Sequence, residues 1–111
     1  MYFIRDLNNI QHHRGDSLEI NFTIFSGELL DFKEYIPQEG DELYWALMEP
    51  NQPWEHAILK KKLDINNLKV FLKPSDTMCL YPDQYYHQFK LRTQSGDVYT
   101  LCPKSSFYIL E

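Results

Sequence analysis

The chain has 111 residues, of which 43% are hydrophobic, 24% charged and 15% aromatic; this fits one domain spanning residues 1–111 and excludes a disordered, collagen-like or coiled-coil chain. Sixteen acidic against eleven basic residues leave a net charge of −5, the wrong sign for gripping a nucleic-acid backbone. Eight Tyr and seven Phe tilt the composition toward sheet, and two cysteines, Cys79 and Cys102, are too few for a secreted disulfide scaffold, which points to a reduced, cytosolic place of synthesis.

In chain order, the opening Met1-Tyr2-Phe3-Ile4-Arg5-Asp6 meets charge too early for the roughly 7–15 apolar residues of a secretory leader. No window approaches the roughly 18 apolar residues of a membrane span. Residues 8–13 read as a first, edge strand. Arg14-Gly15-Asp16 supplies turn geometry ahead of a strand, which accounts for this tripeptide better than receptor recognition does. Leu18, Ile20, Phe22 and Ile24 then share one face while Ser17, Glu19, Asn21 and Thr23 share the other, a half-buried strand over residues 17–24. Leu29, Leu30, Lys33 and Ile36 have loose helical spacing that Phe32 and Tyr35 break. Residues 42–48 alternate again, with Leu43, Trp45 and Leu47 inward. Residues 58–63 make a less regular strand, whose Lys60-Lys61-Lys62 suits a protected sheet edge. Leu68, Val70 and Leu72 alternate ahead of Pro74, and Ser75-Asp76-Thr77 caps one short helical turn. Tyr85, His87, Phe89 and Leu91 face inward, with Tyr86, Gln88, Lys90 and Arg92 outward. Residues 98–101 and 107–110 close the chain. Turn signals about every 10–15 residues between short alternating runs predict an all-β sandwich or barrel of seven or eight strands.

Three features narrow this to a disulfide-free, immunoglobulin-like antiparallel β-sandwich. Trp45 is inward on the third expected strand, the position of the buried tryptophan in such sandwiches. Residues 76–85 look like a tyrosine corner, in which the Tyr85 hydroxyl turns back to upstream backbone. Two residues past Tyr85, where an antibody domain carries Cys, stands His87, expected as a core ring bonded to backbone or to a tyrosine. Whether Cys79 and Cys102 form a bridge is left to geometry.

Further motifs occur in a fixed order. They are Arg14-Gly15-Asp16-Ser17-Leu18, Gly40-Asp41-Glu42-Leu43, Asp76-Thr77 followed by Leu80, Tyr85 and Phe89-Lys90-Leu91, Gly96-Asp97-Val98-Tyr99-Thr100-Leu101, and Phe107-Tyr108-Ile109. Together they span about residues 12–110. This set resembles small immunoglobulin-like structural proteins of bacteriophages and prophages, and is similar to the N-terminal domain of phage baseplate upper proteins. The chain departs from that pattern at Asp83, where the family has Gly ahead of the corner Tyr and where Asp is expected in a left-handed turn. It departs again at His87-Gln88, where the family has an aromatic residue and Asp. The resemblance implies a non-catalytic structural or assembly role in the virion, at the tail or baseplate, and brings no catalytic residue with it.

The remaining chemistry is sparse. His12 and His13 are adjacent and face opposite ways on a strand, and His87 with Cys79 and Cys102 lacks ligand spacing, so neither a metal nor a cofactor is expected. Ser105-Ser106 has no nucleophile setting, and four Gly make no phosphate loop; the expectation is no enzyme. Tyr44, Tyr86, Tyr99 and Tyr108 fall on the outward phase of their strands, and Trp54 lies in a Pro-flanked loop. Together they form a candidate interaction surface. Tyr2 and Phe3 add exposed aromatics at the terminus. The expected partners are other virion proteins or further copies of the chain, with no nucleic acid and no membrane; the protein would be made in the bacterial cytoplasm and assembled into the virion. A second reading makes the same aromatics a glycan- or host-receptor-binding surface, with Trp54, Tyr44 or Tyr99 stacking on sugars.

Overall fold

A computed structural model of the chain describes every residue except 6, 8 and 29. The described residues are all-β, with eleven strands in chain order: β1 (Tyr2–Ile4), β2 (Ile10–His13), β3 (Leu18–Asn21), β4 (Ile24–Glu28), β5 (Asp31–Tyr35), β6 (Glu42–Met48), β7 (Leu59–Leu63), β8 (Lys69–Leu72), β9 (Asp83–Arg92), β10 (Val98–Thr100) and β11 (Ser105–Leu110). Two single turns of helix interrupt them, a 3-10 turn at Trp54–His56 and α1 at Pro74–Thr77. A large six-stranded sheet runs β2-β11-β9-β6-β7, with β10 continuing along β9; β1-β4-β5 and β3-β8 form two smaller sheets.

The period-two pattern sets these elements. Along β9, Tyr85, His87, Phe89 and Leu91 are all buried and their alternates are not, because successive side chains on a strand leave by opposite faces. β6 opposes β9 so that Leu43, Trp45 and Leu47 sit beside Leu91, Phe89 and His87. This inner face joins Ile4, Ile20, Ile24, Val70 and Leu72 from the smaller sheets in one apolar cluster with Phe107 and Ile109. Trp45, Phe89 and Phe107 are wholly buried, and each contributes roughly 1.5–3 kcal/mol of transfer free energy.

Several expectations change. Eleven strands replace the seven or eight read from the sequence, because the run 17–24 divides and because β1 and β5 are added. β3 pairs with β8, whereas β4 pairs with β1 and β5. The break at Phe22-Thr23 lets one apolar stripe serve two sheets, which alternation alone does not register. The loosely helical stretch near residue 30 is strand β5, whose Phe32 and Tyr35 pack as strand residues; Leu29 lies outside the described residues. Tyr2 and Phe3 are strand residues of β1, and Phe3 is buried. Trp45 is on the sixth strand. The expected first strand is Ile10–His13 at one edge of the large sheet, with Asn8 outside the described residues. It runs parallel to β11, so the architecture is not purely antiparallel. A parallel neighbour requires a long crossover, and here the whole chain between these two strands is that crossover. Cys79 is exposed, Cys102 is buried and both are free thiols.

Other local readings hold, except the one at Asp83. β7 is the edge opposite β2. Lys60 and Lys62 point outward there, while Lys61, in register with Trp45, reaches Asp76 at 2.9 Å. The Arg14-Gly15-Asp16 segment is a turn in which Gly15, at φ 84°, donates its N–H to the Thr77 hydroxyl at 2.9 Å. The left-handed φ suits Gly. Asp83 begins β9 instead of taking a left-handed turn; Asn51 is the one non-Gly residue with positive φ among the described residues. The corner does not need it, for the Tyr85 hydroxyl donates to the Tyr81 carbonyl at 2.8 Å.

That bond spans the entry to the longest strand. Replacing Tyr85 by Phe keeps the ring and removes the donor, and the expected loss is about 1 kcal/mol in urea unfolding. An unchanged midpoint with an unchanged slope would show that the corner contributes nothing to stability.

Candidate functional site

The outer face of the large sheet is set by register. Tyr44 lies between Lys62 and Lys90, Ala46 between Lys60 and Gln88, and Met48 opposite Tyr86. Ser106 sits beside Tyr86, and Tyr108 beside Gln84 and Gln11. Tyr44, Tyr86 and Tyr108 therefore do share one face, each half-buried. Tyr99 does not: it pairs with Leu91, the inward phase of β9, while Val98 and Thr100 accompany Arg92 and Lys90 outward. The sequence phase fails there because β10 is only three residues long and follows a turn, so only its register with β9 fixes which residues face in.

Trp54 reaches the same outer face through the connection between β6 and β7. Asn51 takes φ 63° and the Pro53 carbonyl accepts from the His56 N–H at 3.0 Å. The Lys104 ammonium donates to the Gln52 carbonyl at 2.6 Å. Ala46 and Met48 are fully buried despite their outward phase, so this part of the face is roofed. The Trp54 ring has the Lys60 ammonium 5.1 Å and the Lys90 ammonium 4.9 Å from its centroid. Trp54, Tyr44, Lys60, Lys90, Arg92 and Val98 bound a depression of about 300 Å³. The Tyr44 hydroxyl donates to Glu42 at 2.5 Å; this bond holds the Glu42 carboxyl below its ordinary range, with Lys62 and Arg92 adding to it, and raises the Tyr44 phenol.

A second concavity, about 530 Å³, lies where β1, the end of β5 and the β9–β10 turn meet. The Tyr2 ring stands 4.8 Å from both the Tyr35 and the Tyr99 ring. Asp41 is buried beside them and accepts from the Tyr35 hydroxyl at 2.5 Å, the Gln38 N–H at 2.9 Å and the Gln94 N–H at 3.2 Å. Burial, reinforced by that carboxylate, pushes the Tyr35 phenol well above its ordinary value, so it stays a donor. Asp97 accepts from the Ser95 hydroxyl at 3.1 Å. The groove thus offers ring faces, amides and carboxylates together. Of its residues, Tyr99 and the terminal Tyr2 are among the aromatics that the sequence marks as exposed, whereas Tyr35 falls in the stretch of mixed periodicity. Lys60 and Lys90 are not marked as site residues by the sequence, since nothing local tells that a loop remote in the chain from Lys90 lays a tryptophan beside it.

His87 is wholly buried. It accepts the Trp45 indole N–H on Nδ1 at 3.0 Å, so its partner is a tryptophan instead of the backbone or tyrosine expected. Its own proton then sits on Nε2, which has no hydrogen-bond partner among the described residues; the ring packs against Phe107 and Phe89, with ring centroids at 5.4 and 6.0 Å. No group of three or more His, Cys, Asp or Glu that could hold a metal ion occurs among the described residues. Among the described residues no helix is long and apolar enough to cross a membrane.

Burial pushes the His87 imidazole down to about 4. Above pH ~6.5 the ring is neutral in both the folded and the unfolded chain and pH does not matter. Below it the unfolded chain takes up a proton that the folded protein refuses, so stability falls with acid until pH about 4, by roughly 3 kcal/mol in all. Burial also lowers His12, which acts in the same direction. His87→Gln keeps an acceptor for Trp45 without titrating. Urea unfolding at pH 7 and pH 4.5 is expected to show a distinctly smaller acid loss in the variant, and equal losses would refute the assignment.

No protein-family profile matches the chain, and no curated protein matches it.

Proposed function

We propose that the chain is an immunoglobulin-like sandwich acting as a non-catalytic assembly module of a phage or prophage virion, at the tail or baseplate. The adjacency of β11, β9 and β6 and the pairing of β3 with β8 support the order of such a sandwich, with the Trp-bearing strand β6 beside β9, the strand that carries the corner Tyr. The Tyr85 corner and the buried Trp45 support the same reading, as does the ordered motif set from Arg14 to Ile109. The observation that carries the role is the outer face of the large sheet. Tyr44, Tyr86, Tyr108 and Trp54 lie on one surface, where tyrosine and tryptophan combine large contact area with a polar tip. The partners are other virion proteins or further copies of the chain. The module binds; it does not turn over.

A second reading is favoured by the groove at Tyr2, Tyr35 and Tyr99. Ring faces beside Gln38, Asp41 and Asp97 suit a sugar, whose C–H faces stack on aromatics while its hydroxyls meet planar polar groups. Trp54 and Tyr44, named with Tyr99 for this role, belong to the other depression. The glycan reading therefore concerns the groove alone.

Two measurements separate these. Light scattering of the wild type and of a Tyr86→Ser/Tyr108→Ser variant, alone and mixed with purified tail components, is expected to show a complex that the variant weakens about tenfold or more. A wild type that stays monomeric and takes up no tail component would sink the assembly role. On a glycan array, a signal abolished by Tyr99→Ala would establish the groove as a sugar site, and a blank array would remove that reading.

A further inference from the structure

We propose that the depression around Trp54 is a docking site for a short acidic segment of a partner protein, one carboxylate bridging Lys60 and Lys90 beside the indole and a neighbouring apolar side chain resting on Val98. This rests on the assembly reading and names the chemistry of the partner. Three observations carry it.

The first is the position of the two ammonium groups. Lys60 on β7 and Lys90 on β9 flank β6 and converge on one ring at 5.1 and 4.9 Å, which places them within about 10 Å of each other, roughly one screening length. Neither forms an ion pair among the described residues, and nor does Arg92. The nearest carboxylate by register, Glu42, is occupied by the Tyr44 hydroxyl and Lys62. Two like charges held near one site are relieved by an anion between them.

The second is sign. On a chain of net charge −5, Lys60, Lys62, Lys90 and Arg92 gather at one end of one face. A local field opposite to the whole orients an acidic partner on approach and rejects a basic one. The third is apolar surface. Val98 is 59% exposed and forms the rim next to Trp54 and Tyr44, so the site offers more than charge. A volume of about 300 Å³ holds one or two side chains, and the overall negative charge opposes a long polyanion, so a nucleic-acid strand is the poorer fit.

The two indole N–H signals of the chain, Trp54 and the buried Trp45, make the test internally controlled. A hexapeptide of alternating glutamate and leucine is titrated into the nitrogen-labelled protein and followed by two-dimensional NMR. The Trp54 indole and the Lys90, Arg92 and Val98 amides should shift saturably, the Trp45 indole should stay, and added salt should weaken the response. Lys60→Gln/Lys90→Gln should raise Kd tenfold or more while the rest of the spectrum, which reports the fold, is kept; Lys90→Glu is the second variant should the double one unfold. The glutamine–leucine peptide should not bind. No saturable shift, equal binding of the glutamine peptide, an equal response to citrate, or tighter binding of oligothymidylate would each overturn the proposal. Association in light scattering that survives Lys60→Gln/Lys90→Gln would overturn the charge assignment and leave the assembly role standing, whereas a wild type without any partner removes the role itself.

Discussion

The contact between Trp45 and His87 is the constraint on which the rest depends. It joins β6 to β9 at the centre of the large sheet, on the side facing the smaller sheets. An indole N–H buried without an acceptor costs about 1–3 kcal/mol, and His87 removes that cost from inside the core with a group that is itself an aromatic filler. The free thiols contribute no cross-link, so the smaller sheets hold to the large one mainly by burial, and this bond satisfies a polar group inside the face they cover. The unmet Nε2 of His87 is the residual cost, softened by ring edges and faces around it.

With the inner face fixed, the outer face is free to differ along its length. At one end the Gln84 amide donates weak hydrogen bonds to the Tyr86 and Ser106 hydroxyls, with Tyr108 beside Gln84 in register. At the other, Trp54 is laid over the sheet by a connection that Lys104 pins from the far side. The lysine run of β7 is divided by the same alternation: Lys61 serves the interior margin through Asp76, and its two neighbours face solvent. One run of three identical residues thus has two distinct duties.

Much of this was legible in the sequence because alternation is a local property. The strand bounds Glu42–Met48, the inward set of β9, the turn at Pro74 and the Tyr85 hydroxyl bond all follow from spacing within about ten residues. What escaped depends on pairing. Phe22-Thr23 gives no sign that the chain changes sheets, since both halves keep the same apolar phase. Tyr99 was assigned outward because three residues of β10 carry too little pattern to fix a face. The parallel ladder between β2 and β11, the Tyr2–Tyr35–Tyr99 group and the convergence of Lys60 and Lys90 on Trp54 join residues far apart in the chain, and no local rule reaches across such distances.

The parallel ladder has a mechanical consequence. β2 and β11 run side by side in the same direction, from Ile10 with Phe107 to His13 with Leu110, and the Arg14 N–H extends the contact to the Leu110 carbonyl at 2.6 Å. Tension entering ahead of Ile10 and leaving after Leu110 pulls these strands along their length in opposite senses. The hydrogen bonds are then strained together in shear and cannot be peeled one at a time. Rupture under force requires the whole clasp to slip at once, a geometry that resists stretching along the axis far better than a hairpin opened from its end.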